Sequence, residues 1–166
     1  MSDPNEIFEL YDAHEYRVIG RATRGECHGH PELIHAVARV HVRDAQGRLL
    51  LQRRAASKDI APGRWDTSVG GHLLPGEGAE AAARREMREE LGVEAGDLVF
   101  LHRFLMRSPV ETEWVSSYAT KHEGPFRPDP GEIDEVRFWT RAEIEAALGT
   151  GVLTTAFEDE YARLAR

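Results

Sequence analysis

Residues 71–93 read Gly71-His72-Leu73-Leu74-Pro75-Gly76-Glu77-Gly78-Ala79-Glu80-Ala81-Ala82-Ala83-Arg84-Arg85-Glu86-Met87-Arg88-Glu89-Glu90-Leu91-Gly92-Val93, a loop rich in glycine that runs into a helix. The helix is expected from about Ala79 to Leu91, with Gly92 as its stop, because glycine readily takes the left-handed conformation that closes a helix. At about 100° per residue, Ala83, Met87 and Leu91 form one stripe, predicted to face the core. Glu86, Glu89 and Glu90 fall on an adjoining arc about 100° wide. Ala79 and Ala82 lie on that same arc, so no bulky side chain crowds the carboxylates. Three like charges on one face repel, and a hard divalent cation with oxygen ligands relieves the repulsion. The alternative is a solvated charged face balanced in part by Arg84, Arg85 and Arg88.

Outward from this segment, the chain reads as a mixture of strands and helices. Residues 6–20 suggest a short hairpin, with Phe8 and Leu10 on one arm and Tyr16, Val18 and Ile19 on the other. From Ile34 to Arg43 the pattern alternates, placing Ala36, Ala38, Val40 and Val42 on one face. Asp44-Ala45-Gln46-Gly47 is a turn and Leu49-Leu50-Leu51 begins a return strand. Residues 55–67 read as a loop. Strands are expected at Leu98–Arg107, Glu113–His122 and Val136–Trp139, with a loop rich in Pro and Gly at 124–131. Thr140 with Glu143, and Thr155 with Glu158, have the spacing of capping boxes opening two C-terminal helices. There is no regular βαβ rhythm, so the expected class is α/β (α+β), with helices packed on a mixed sheet in one domain spanning 1–166.

A formal charge of −8 disfavours binding to nucleic-acid backbones, which basic surfaces recognise, while leaving room for a small phosphate held through metal ions. Cys27 is the only cysteine, so an intrachain disulfide and a thiolate metal cluster are excluded. No run of residues has the length of a membrane span. The opening Met1-Ser2-Asp3-Pro4-Asn5-Glu6 lacks the basic end and apolar run of a signal peptide, and a cytoplasmic protein is expected. Monomer and homodimer both remain open.

The 71–93 segment resembles the Nudix box, G-x5-E-x7-R-E-U-x-E-E-x-G-U with U aliphatic. Gly71, Glu77, Arg85, Glu86, Met87, Glu89, Glu90, Gly92 and Val93 fill every specified position at the right spacing. The resemblance implies a Nudix α/β/α sandwich and a hydrolase of diphosphate linkages in a nucleoside diphosphate derivative or related small molecule, with Mg²⁺ or Mn²⁺. By that likeness Glu86 and Glu90 are the main metal ligands and Glu89 a further one. The backbone carbonyls of Gly70 and Gly71 assist, and Arg85 reaches back to Glu77. The general base is left among Glu86, Glu111, Glu113 and Glu132.

The flanking residues are similar to isopentenyl-diphosphate isomerase and its hydrolase relatives: Leu33-Ile34-His35, Gln52-Arg53-Arg54, Lys58, Pro62-Gly63, Trp65 and Ser68-Val69-Gly70-Gly71-His72. That likeness implies a second metal set of His28, His35, His72, Glu111 and Glu113. It also implies phosphate contacts from Lys58 and from Arg53 or Arg54, with His72 beside the substrate. The isomerase carries a catalytic cysteine directly before its Gly-His pair, where this chain has Gly70, and its own box is degenerate whereas this one is complete. Both differences favour hydrolysis over isomerisation. The remaining alternative is a non-catalytic nucleotide-binding module, which the intact carboxylates disfavour.

Overall fold

The computed structural model describes residues 3–164; Met1 and Ser2, part of the N-terminal stretch read above, lie outside them. In order the elements are β1 (Ile7–Tyr11), β2 (Val18–Thr23), α1 (Arg24–Cys27), β3 (His35–Arg43), β4 (Leu49–Arg54), β5 (Trp65–Asp66), β6 (Val69–His72), α2 (Ala79–Leu91), β7 (Val99–Arg107), β8 (Thr112–Lys121), β9 (Ile133–Trp139), α3 (Arg141–Ala147) and α4 (Thr155–Leu164). Among the described residues no helix is long and apolar enough to cross a membrane.

β1 and β2 form a separate antiparallel ribbon, extending the expected hairpin to Thr23. The main sheet is mixed. β3 runs parallel to β8 and antiparallel to β6, β8 carries β7 as an edge, and β4 carries β5 and β9. The β3–β4 hairpin pairs only beside its turn, Arg43 with Leu49, before β4 leaves to join β9. Leu50 packs on the α2 side, whereas Leu49 and Leu51 pack with Trp139, Ile144, Leu153 and Phe157 on the other. A strand buried on both faces has no need of polar alternation, which explains the unbroken leucine run. The result is a mixed sheet packed between helices, the layering expected from the sequence.

α2 buries Ala79, Ala82, Ala83, Met87 and Leu91 against β3, and each large apolar side chain so placed contributes about 1.5–3 kcal/mol. Gly92 closes it at φ 65°, its N–H reaching Arg88 and Met87 carbonyls. The Thr140–Glu143 capping box is present. The expected box at Thr155 is not: the Thr154 hydroxyl accepts from Phe157 N, and the Glu158 carboxylate turns back to Gly149 N. Either threonine can cap, and burying Phe157 sets the start one residue earlier. The 55–67 loop also contains a two-residue strand, because Trp65 and Asp66 pair with Arg53 and Gln52.

Candidate active site

Gly71 sits on β6 opposite Ala38, directly beneath α2. A Cβ placed there would come within 2.1 Å of the Glu86 carboxyl carbon, so only glycine lets the helix carboxylate approach the strand this closely. Gly71→Ala therefore displaces Glu86 while leaving the core alone. The expected result is a kcat about 100-fold lower, the cost of about 1 Å of misplacement, with melting changed by only a few degrees. A kcat equal to that of the parent would remove Glu86 from the chemistry.

Arg85 organises the loop. Its Nε and Nη2 each meet a Glu77 oxygen at 2.9 Å, Nη2 also reaches the His72 carbonyl at 3.0 Å, and Nη1 reaches Glu86 at 2.7 Å and Glu89 at 3.0 Å. Glu77 in turn accepts from Leu74 N at 2.9 Å. Burial alone would raise the Glu77 pKa, but Arg85 and this N–H outweigh it and the value is lowered. The loop is thus clamped to the helix by a two-pronged ion pair.

The box carboxylates differ in exposure. Glu89 lies at the rim, Glu86 is mostly enclosed and Glu90 is 8% exposed. Glu90 accepts from Gln52 Nε2 at 3.1 Å and Gly70 N at 3.4 Å. Burial, then the charge of Glu86, pushes Glu90 up to about 8. Burial likewise pushes Glu86 up to about 7, against the opposing pull of Arg85. Two sequestered carboxylates that burial makes costly to ionise, beside a glycine cradle, suit a hard divalent ion: the donors are all oxygen, and a cation offsets the cost of charging them.

A second group lies on the far face of β3. The ligand atoms of His35, His72 and Glu113 fall within 4.8 Å of one another. His35 Nε2 is 3.3 Å from Glu113 and 3.8 Å from Glu111; His72 Nε2 is 3.6 Å from Glu113. His35 is 1% exposed, and neither ring nitrogen has a well-directed hydrogen bond. Burial opposes its protonation, but Glu113 and Glu111 raise its pKa. The close group is smaller than the five residues expected. His28, which follows a short helix, and Glu111 both line one small cavity with His35 and His72, and Glu111 lies 3.8 Å from His35 Nε2. Phe8 of the hairpin stacks on His72 at 4.4 Å and on His35 at 5.0 Å, a wall that sequence reading did not anticipate.

The expected phosphate contacts divide. Lys58 pairs with Glu132. Arg53 follows Gln52 along β4 and so projects to the opposite face from Glu90, where it pairs with Glu135 at 3.4 Å. That strand alternation sets Arg53 on the other face of β4 from the box carboxylates. Arg54 is engaged with the Ile60 carbonyl and Asp66. Gln52 was also missed as a support for Glu90. Its signal is a polar residue directly after three leucines on a doubly buried strand.

Comparison with known families matches residues 33–156 to the NUDIX domain. An uncharacterized Nudix hydrolase of Streptomyces coelicolor is 34% identical over 166 residues, covering 99% of this chain and 91% of its own. Isopentenyl-diphosphate Delta-isomerase of Streptomyces avermitilis is 38% identical over 144 residues, covering 83% of this chain and 73% of its own. The crystal structure of DR0079 from Deinococcus radiodurans superposes with a TM-score of 0.82 at 26% identity, covering 97% of this chain and all of that one. With the loop–helix carboxylates and the mixed sheet between helices, these likenesses establish that the chain belongs to the Nudix family. Within it, the protein is a hydrolase.

Proposed function

We propose that this hydrolase cleaves the diphosphate linkage of a nucleoside diphosphate derivative or a related small diphosphate, with Mg²⁺ or Mn²⁺, the chain acting as one catalytic domain. The observation that carries this reading is the pair of sequestered carboxylates: no Lys or Arg among the described residues pairs with Glu90, and Glu86 has Arg85 alone. Glu86 and Glu90 would hold the ion, with Glu89 at the rim and the Gly70 and Gly71 carbonyls alongside. When bound, such an ion neutralises the diphosphate, polarises the P–O bond and makes a water acidic enough to attack.

The protein's own groups do the rest. Gln52 and the Gly70 N–H fix one oxygen of Glu90, while Arg85 fixes Glu86 and the loop that bears Glu77. As the water oxygen bonds to phosphorus and the bridging P–O bond breaks, the water's proton needs an acceptor. Glu113 is a weak one. Burial would raise its pKa, but His35, His72 and Arg39 hold it well below the usual range. Glu132 lies outside that grip, close enough to Glu90 to help raise its pKa, and is paired with Lys58. Glu132 is the acceptor in this reading, with Lys58 passing to a substrate phosphate.

The test is product release from a panel of nucleoside diphosphate derivatives and isoprenoid diphosphates, with each metal ion in turn. At least one member is expected to be hydrolysed, and Glu132→Gln to lower kcat by about 10²–10⁴-fold. Failure to hydrolyse any member overturns the reading. Isopentenyl diphosphate is expected to keep its double bond in place. Gly70→Cys is expected not to change that, although its Cβ fits, the nearest atoms being Arg39 Cγ at 3.7 Å and the Ala38 carbonyl at 3.9 Å. Double-bond migration by the parent protein would make the isomerase alternative the better one.

The unpartnered His35 nitrogens favour a second reading for the other group. Two imidazoles and a carboxylate suit Zn²⁺ or Mn²⁺ better than Mg²⁺. In this reading His35, His72 and Glu113 hold such an ion and organise the pocket, with Glu111 and His28 at its margin.

A further inference from the structure

The sheet face away from α2 carries buried charges that the hydrolytic reading leaves unused. Alternate residues of a strand share a face, so His35, Arg39 and His41 of β3 stand with Glu113 and Ser117 of β8. α4 lays Glu160 over them, 0% exposed. Arg39 Nη1 and His41 Nε2 each approach Glu160 at 2.9 Å, the Ser117 hydroxyl donates to it, and His102 Nε2 lies 3.6 Å away. Apolar side chains would fasten a helix here equally well, since replacing a buried ion pair by hydrophobic groups is often neutral or stabilising. The charge calls for a use beyond fastening.

Arg39 supplies one. Its planar guanidinium can address two carboxylates at once, which an ammonium cannot do with the same geometry. Nη1 goes to Glu160, while Nη2 lies 3.8 Å from Glu113 Oε2. The other Glu113 oxygen faces His35 Nε2 at 3.3 Å and His72 Nε2 at 3.6 Å. A line of contacts therefore runs from the last helix through Arg39 to the imidazole pair.

We propose that Glu160 and Arg39 are positioning residues for the His35–His72–Glu113 group: Glu160 sets the plane of the guanidinium, and Arg39 holds one Glu113 oxygen so that the other faces the imidazoles. This rests on the reading of that group as a transition-metal site. Carboxylates that bind metals are themselves held by neighbours, and losing such a neighbour typically costs about 10–100-fold in metal affinity.

The test is a Co²⁺ titration of the full chain followed by visible absorption, in a Glu86→Gln/Glu90→Gln background that silences the box carboxylates. The background protein is expected to bind Co²⁺ with a spectrum that His72→Ala abolishes. Arg39→Lys keeps the charge but not the fork, and is expected to weaken binding about 10–100-fold. Glu160→Gln should weaken it too, and the double variant no more than the worse single one, because the two act in series. Should either variant fail to fold, Arg39→Met/Glu160→Met removes both charges together and carries the same expected loss. Folded variants that bind Co²⁺ as tightly as the background overturn the positioning role and leave the metal reading standing. A background protein without any His72-dependent spectrum overturns both.

Discussion

Glu90→Gln is expected to lower the hydrolysis rate by about three orders of magnitude and to make the metal-free protein more stable near neutral pH. The rate loss follows from removing one of the two enclosed carboxylates, where ion and substrate charge are neutralised by several kcal/mol. The gain in stability follows from the direction in which burial moves the carboxyl groups. Glu90 and Glu86 have folded pKa values of about 8 and about 7 against an ordinary 4.5. A raised carboxylate contributes fully below its unfolded pKa, and that contribution is lost as pH rises through the folded value. The metal-free parent should therefore lose stability between about pH 4.5 and 8, with a slope of up to about 1.4 kcal/mol per pH unit for each group. Mg²⁺ should restore it, and Glu90→Gln should flatten the slope. Thermal melts at stepped pH, with and without Mg²⁺, measure both effects. A parent whose metal-free melting point does not fall across that range would mean that the carboxylates are not sequestered.

Glu160→Ala has the largest expected effect on stability, about 3–5 kcal/mol, because it strands Arg39 beside His41 in the interior. For a chain of this size that is a melting point lower by about 6–20 °C. The pH dependence has the opposite sign from the box carboxylates. Burial alone would raise the Glu160 pKa, but His41, Arg39 and Ser117 hold it far below the ordinary range. Its contribution is present above the unfolded pKa and is lost as pH falls toward the folded value. Acid unfolding of the parent should thus be steeper than that of Glu160→Ala. Equal acid slopes would remove Glu160 as the acid-sensitive group.

The box helix was legible because its spacing is strict and a glycine follows its last residue, and the observed limits, Ala79–Leu91, match those expected. β3 was legible from alternation alone. Short strands were not: Val69–His72 contains two glycines, and its strand character comes from pairing with β3. Glu160 was hidden for a different reason. In Phe157-Glu158-Asp159-Glu160-Tyr161 it looks like one of several solvated acids. Only the packing of Phe157 into the sheet turns Glu160, three residues on, to the same inner face. His35, His72 and Glu113 could be grouped by likeness to a family, yet the smaller size of the close group depends on where the 28–30 turn and the 108–111 loop end. Those positions follow from backbone contacts such as Gly29 N to the Val110 carbonyl at 2.9 Å.

The parallel pairing of β3 with β8 places His35 opposite Glu113 and Arg39 opposite Ser117 in a single alignment. Sliding β8 by one residue would set Thr112 or Trp114 against His35 and turn Glu113 through the sheet. The two strands are joined through 44–111, which includes the box loop and helix at fixed spacing as well as surface loops such as 94–98, where added length costs little. Insertions and deletions should therefore accumulate in such surface loops, outside 69–93, as these sequences diverge. Between 113 and 117 one inserted residue breaks the phase that joins the imidazoles to the last helix, so a length change there marks a lineage that has abandoned this chemistry.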